Sequence, residues 1–235
     1  MSEQSKKDQF DLAFKNKQSP YEAAKSLTKL LCGEVFERLS STIKDHPRVL
    51  EIGCGDGAVI KDIPNKLFKN CDYLGIDLST NAIGLAIKNN PSFNFQNVDI
   101  LNFESSRQFD IIIDSHCLHF LTEALERKRY FSKVSDLLKD EGLYVVETML
   151  LPKKAGDVEL MSFDFQSNCF VKDGRKVIFL DEARHFEEIF SEYDLEIQYF
   201  YCPLGAKFIC ESHRSESLIS DPDVLRAIVK KKSGT

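Results

Sequence analysis

The sequence predicts an α/β fold: a doubly wound, mostly parallel sheet with helices on both faces, closed by an antiparallel pair of strands near the C-terminus. Three observations carry this. Short Val/Ile/Leu-rich runs at 48–53, 72–77, 109–114 and 143–148 have the composition of strands buried on both faces. Amphipathic stretches separate them, so strands and helices alternate as they do in parallel sheets. Further on, Pro203-Leu204-Gly205 is too short for a crossover helix, so the apolar runs it joins must pair antiparallel.

Residues 1–20 are polar and loosely held, apart from Phe10 and Phe14, which stand four apart. From Tyr21 to Ile43 apolar residues recur at helical spacing, with Ser19-Pro20 as a start signal. "RVLEIG" (48–53) is the first strand, and "GAVIKDIPNKLF" is a helix interrupted near Pro64. "DYLGID" (72–77) is the second strand; the helix after it is capped by Ser79 or Thr80 and stopped by Pro91. "FNFQNVD" (93–99) and "FDIIID" (109–114) follow as strands. The charged helix "TEALERKRYFSKVSDLLKD" is closed by Gly142 ahead of the strand "LYVVET" (143–148).

Between 150 and 180 there is no clear helix, and Asp173-Gly174 offers a hairpin turn. A short helix, "DEARHFEEIFSEY", leads to the closing strands "DLEIQYFYC" and "AKFICES". The tail "SDPDVLRAIVKKKSGT" is expected to form a helical turn or two ending in a solvated basic end. These elements divide the chain into an N-terminal helical lid (1–47), a core (48–211) with a cap insertion (150–180), and a tail (212–235).

A length of 235 residues allows one sizeable core. The net charge of −6 argues against nucleic acid as the main partner, because phosphate binding relies on Lys and Arg. No apolar stretch approaches the ~20 residues that span a bilayer, and "MSEQSKKDQF" has no apolar core of a secretory signal. The seven cysteines are scattered without a C-x-x-C pair, as expected of reduced thiols in a cytoplasmic protein.

Glycines at 53, 55 and 57 follow the first strand, where doubly wound folds bind nucleotides. Gly53, Gly55 and Ala58 also fit the loose dinucleotide pattern, with Asp77 about 20 residues on. The charge pattern separates the two readings. Glu51, Asp77, Asp99 and Asp114 lie at or near the ends of four strands; they would repel a pyrophosphate and suit a cationic, sulfonium-bearing nucleoside.

From 48 to 148 the chain resembles the class I S-adenosylmethionine-dependent methyltransferases, and its closing strand pair matches their seven-stranded, Rossmann-like sheet. "LEIGCGDG" is similar to their first motif and "GIDLS" to their second. "VDI" is similar to the third and "FDIIIDSHCLHFL" to the fourth. Asp140-Glu141-Gly142 stands where the family usually has Pro-Gly-Gly. The resemblance implies S-adenosyl-L-methionine as methyl donor and S-adenosyl-L-homocysteine as product. It implies that Glu51, Gly53, Cys54, Gly55 and Gly57 pack around the methionine part of the donor, with Cys54 a small filler. Asp77 would bind the ribose hydroxyls and Leu78 lie on the adenine. Asp99 would accept from the adenine amino group, Ile100 pack beside the ring, and Asp114 and Ser115 sit near the methionine end. Ser115 fits a helix cap equally well.

The acceptor must meet residues 114–120 and 147–151, at the carboxyl ends of the strands. His116 and His119 are candidates for the general base, and ordinary packing or capping residues are the competing reading. Two histidines without a third ligand make a weak metal site, and no metal is expected. Glu147, Tyr21, Phe163 and Phe165 are candidate substrate contacts. The cap aromatics and the N-terminal Phe10, Phe14 and Tyr21 either cover the pocket or simply plug the end of the sheet. No Asp/Asn-Pro-Pro-aromatic stretch follows the fourth strand, and Cys117 does not follow a proline, so neither base-methylating pattern is present. The expectation is methyl transfer to oxygen or nitrogen of a small molecule, with no nucleic-acid or membrane partner. The alternatives are a protein or peptide methyltransferase and a non-catalytic donor-binding subunit.

Overall fold

The computed structural model describes residues 3–15, 25–43, 45–62, 70–158, 161–203, 207 and 219–233. Helices α1 (Glu3–Lys15), α2 (Lys25–Leu31) and α3 (Glu34–Ser40) precede the first strand; Gly33, in an extended conformation as the N-cap of α3, divides the predicted 21–43 helix in two. Strands β1 (Arg48–Ile52), β2 (Asp72–Asp77), β3 (Asn94–Asn97), β4 (Phe109–Ser115) and β5 (Leu138–Leu150) pair in parallel in the order β3-β2-β1-β4-β5. Helices α4 (Ala58–Asp62), α5 (Thr80–Asn89) and α6 (Ala124–Leu137) make the crossovers, and a 3-10 turn (Leu118–Phe120) follows β4. Ser79 caps α5 by accepting a hydrogen bond from the amide of Ala82 at 3.1 Å.

Strand composition decides the layers. Leu50, Ile52, Ile112, Tyr144 and Val146 point to one face, where Tyr130, Phe131 and Val134 of α6 cover them with Phe186 and Phe190 of α7 (Ala183–Glu192). Val49, Ile111, Ile113 and Val145 point to the other, beneath Leu27, Leu30 and Leu31 of α2, Phe36 of α3 and Val59 of α4. Helices α2 and α3 are therefore part of the core, and among the described residues of the expected 1–47 lid it is α1 that stands outside it.

Residues 150–180 form a second sheet of β6 (Ser162–Asp164), β7 (Cys169–Lys172) and β8 (Arg175–Phe179), all antiparallel. Asp173 (φ 51°) and Gly174 (φ 72°) supply the tight left-handed turn between β7 and β8. Arg127 of α6 holds this sheet, with its guanidinium carbon 3.4 Å from the centre of the Phe179 ring and Nη1 donating to the carbonyl of Leu121 at 2.9 Å.

The tail departs from expectation. Asp223–Lys231 is not helical: it is β10, inserted antiparallel between β5 and β9 (Leu195–Tyr201) to complete the seven-stranded sheet. The expected strand at 206–212 lies outside the described residues apart from Lys207, and the sheet runs past the expected core boundary at 211. The misreading has a physical cause. Val224, Leu225, Ile228 and Val229 satisfy helical spacing as well as a doubly buried strand, and nine residues are too few for periodicity to decide. As Ile228 is wholly buried between Val145 and Tyr199, Ile228→Ala should cost about 2–4 kcal/mol in urea unfolding. A loss under about 0.5 kcal/mol, the size expected at an exposed site, would contradict this placement.

Candidate active site

The site is built where β1, β2 and β4 end. Gly53, Gly55 and Gly57 all adopt positive φ (69°, 55° and 77°), which lets the chain turn back under its own amides. The turn disfavours side chains: besides the left-handed angles, a Cβ on Gly57 would lie 2.4 Å from Asn90 Nδ2, and one on Gly53 would sit tightly, 3.0 Å from Cys117 Cβ. At the end of β2, Asp77 accepts from the Gly55 amide (2.9 Å, Oδ2) and the Ser79 amide (2.7 Å, Oδ1). Burial pushes its carboxyl above the usual value; those two amides pull it back, and Asp11 and Asp56 push it further up. Each carboxylate oxygen retains lone-pair capacity for a vicinal diol. Asn97 Nδ2 steadies this end by donating to the carbonyls of Asp77 (3.0 Å) and Leu78 (2.8 Å). Asp99, whose carboxylate accepts from the Leu101 amide at 2.9 Å, and the buried Ile100 follow β3.

Helix α1 is tied to the elements around the glycine loop. Asp11 accepts from Ser79 Oγ (2.7 Å) and the Asn81 amide (3.1 Å). Lys6 reaches both oxygens of Glu126 at 2.7 Å. Phe10 meets Phe120 edge-on at 5.1 Å, and the Phe14 ring comes to 3.4 Å from where a Gly55 Cβ would stand. The expected ring of acids is thus differently composed. Glu51 is fully buried and receives the Tyr73 hydroxyl at 2.5 Å; Asp114 is fully buried and receives the Tyr130 hydroxyl. Both point into the layers of the sheet, since strand side chains alternate between faces and an acid near a strand end need not aim along it. The acids that press electrostatically on Asp77 are Asp11 and Asp56, which the sequence reading did not single out.

Cys54 is buried against Gly75, its sulfur 2.9 Å from where a Cβ there would stand. Burial, reinforced by Glu51 and Asp77, pushes its thiol well above the ordinary range, so it remains a neutral filler.

Beyond β4 the chain turns through His116, whose φ of 77° is unusual for a residue with a side chain. Asp114 fixes the turn by accepting from the Cys117 amide at 2.7 Å. The turn brings His116 Nε2 to 2.9 Å from Glu147 Oε1, and Glu147 Oε2 receives Arg226 Nε at 2.6 Å. Because a carboxylate only accepts, Nε2 carries the hydrogen and the basic lone pair lies on Nδ1. Glu147 is 2% exposed and lies behind His116, which sets it apart from the direct substrate contact expected. His119 is also not the expected base. It is buried on Phe120 (4.6 Å between rings), 3.3 Å from Thr148 Oγ1, and burial followed by the nearby His116 pushes its imidazole well below 6.5.

The cap aromatics are likewise reassigned. Phe163 is buried in the small sheet's own core with Phe170, Val158 and Leu180, and Phe165 is 70% exposed beside it. Tyr21 and the Ser115 side chain lie outside the described residues. Among the described residues no three His, Cys, Asp or Glu side chains gather to hold a metal, and no helix is long and apolar enough to cross a membrane. Arg226 was missed because the tail had been given no strand.

A left-handed glycine turn beside a strand-end carboxylate able to take a diol fits a nucleoside with a cationic sulfur. The comparisons agree. Residues 50–144 match the family described as "Methyltransferase domain". Carboxy-S-adenosyl-L-methionine synthase of Nitratiruptor sp. is 27% identical over 63% of this chain and 63% of its own length. (S)-coclaurine N-methyltransferase of Papaver somniferum is 32% identical over 45% of this chain and 30% of its own length. The chain spans between 30% and 63% of the first curated relatives it matches. The N-methyltransferase NodS from Bradyrhizobium japonicum, solved with S-adenosyl-L-homocysteine, superposes with a TM-score of 0.62, covering 95% of this chain and 99% of that one at 18% identity. Residues 50–144 match a methyltransferase domain, and the chain has the fold of solved S-adenosylmethionine-dependent methyltransferases.

One consequence of the turn is measurable. Burial raises the Asp114 carboxyl from 3.8 to about 6, against the opposing hydrogen bonds from Tyr130 and Cys117. The folded state therefore takes up this proton before the unfolded chain does. Its contribution to stability is full below the unfolded value and is lost as the pH rises through about 6. Relative to Asp114→Asn, the wild type should gain about 2–3 kcal/mol in urea unfolding between about pH 7 and pH 4. A difference independent of pH would count against it.

Proposed function

We propose that the protein catalyses methyl transfer from S-adenosylmethionine to a nitrogen or oxygen of a small organic acceptor, in the cytoplasm. The observation that carries this reading is the His116–Glu147 pair, set at the end of β4 next to the glycine loop. The bound donor supplies a methyl carbon activated by its positive sulfur. Transfer is an in-line displacement: the acceptor forms its bond to carbon as the carbon–sulfur bond breaks with the electron pair left on sulfur. An amine or hydroxyl that arrives protonated must lose a proton, and His116 Nδ1 is the basic atom placed to take it, with Glu147 stabilising the imidazolium that results. Asp77 holds the ribose, and α1 covers the cradle and keeps water from the sulfonium. The small-molecule acceptors named for the coclaurine enzyme support the acceptor class.

The test uses donor labelled in its methyl group, with a cell metabolite pool as the source of acceptors. Label should appear in a small organic product; label in macromolecules would favour a peptide acceptor, and uptake without product would favour a binding subunit. His116→Ala should lower product formation about 100- to 10,000-fold while S-adenosylhomocysteine binds within about twofold of wild type. Equal product formation by His116→Ala and wild type would remove the base from the scheme. Asp77→Ala should weaken S-adenosylhomocysteine about 10- to 100-fold in calorimetry, through loss of charged hydrogen bonds to the ribose. Unchanged affinity there would remove the ribose contact.

A further inference from the structure

Three strands set side chains in one row beside the acceptor end of the site. Glu147 of β5 is register partner to Arg226 of β10, and Arg226 to Tyr201 of β9, so the three share a face. Glu147 divides its oxygens, Oε1 to His116 and Oε2 to Arg226. Arg226 is itself held: β10 is inside the sheet, its side chain is 20% exposed, and the guanidinium carbon lies 5.6 Å from the centre of the Tyr201 ring. A carboxylate as buried as Glu147 is held ionised by a positive partner, and His116 is one only after it has gained a proton. A ring that is to accept a proton must start neutral. Arg226 is permanently charged, so it supports Glu147 in that resting state.

We propose that Arg226 is a positioning residue for proton removal, fixing Glu147 ionised and in place so that its other oxygen holds the neutral His116 ring with Nδ1 ready to accept. This rests on the reading of His116 as the base. Among the described residues, the charged and titratable groups around the ring include Glu147, Arg226 behind it, Asp114 beneath the turn, and His119 at 6.0 Å.

The experiment follows the full chain, saturated with S-adenosylhomocysteine, by NMR between about pH 5 and pH 9, the range in which histidines titrate. In the wild type the Arg226 Nε–H signal should move with the same midpoint as the His116 ring, because both share one carboxylate. In Arg226→Gln the midpoint of the His116 ring should rise by about one pH unit, since the carboxylate is then uncompensated. In Glu147→Gln it should fall, and the Arg226 signal should no longer follow it. S-adenosylhomocysteine affinity should stay within about twofold in both variants, which a general loss of structure would not allow. An Arg226 signal that stays flat while His116 titrates overturns the proposal, as does an unmoved midpoint in Arg226→Gln, whatever the melting temperature. The wild-type measurement decides even if a variant fails to fold. The two readings fail separately: unchanged methyl transfer by His116→Ala retires the base with the shared carboxylate intact, whereas a flat Arg226 signal leaves the base in place.

Discussion

The loops that leave β1 and β4 lie in van der Waals contact, and the rest of the site is arranged around that approach. Gly53 opens the first loop and Cys117 packs directly over it, so closely that a side chain on residue 53 would press on Cys117 Cβ at 3.0 Å. Neither side can yield easily. The glycine turn is tied by the amides of Gly53 and Cys54 to the carbonyl of Ile76 at 2.9 and 3.0 Å, and the second turn is tied to Asp114. Donor cradle and candidate base therefore sit on two strands that pair along their length, and their separation is set by backbone. Alignment of two reactants is where most of the rate of an in-line transfer originates, so a rigid join between the two half-sites is what the chemistry requires.

The excess of negative charge around Asp77 comes from three separate parts of the chain: strand end, glycine loop and α1. Asp11 has two functions in this arrangement. It joins α1 to the start of α5 through Ser79 and Asn81, and it adds negative charge beside Asp77.

Much of this was legible in the sequence where local pattern and tertiary role coincide. Val/Ile/Leu runs became the central strands, Ser79 became the cap of α5, Asp173-Gly174 became the hairpin turn, and the glycines became the tight turn that meets Asp77. The readings that failed needed information that a single strand does not carry. The side to which Glu51 and Asp114 point depends on strand alternation and on Tyr73 and Tyr130 from elsewhere in the chain. The role of Arg226 depended on recognising β10, whose apolar spacing suits either a helix or a strand until its neighbours are known. Phe163 shows the same limit, since a short aromatic-rich stretch serves a cap's own core as readily as a pocket wall.

The two histidines show how position sorts chemistry among identical side chains. His116 and His119 stand three residues apart, with rings 6.0 Å from each other. His119 points inward, toward the hydroxyl of Thr148; burial there disfavours charge, so the ring stays neutral and packs among its neighbours. His116 is carried outward by a left-handed backbone angle onto a buried carboxylate that can balance a positive ring. Such an angle is costly for a residue with a side chain, and it persists because Asp114 and the Gly53 contact hold the turn on either side. The strain is located at the one residue whose ring must leave the core while its neighbours remain packed, which ties an unfavourable backbone conformation to the direction in which a proton can move.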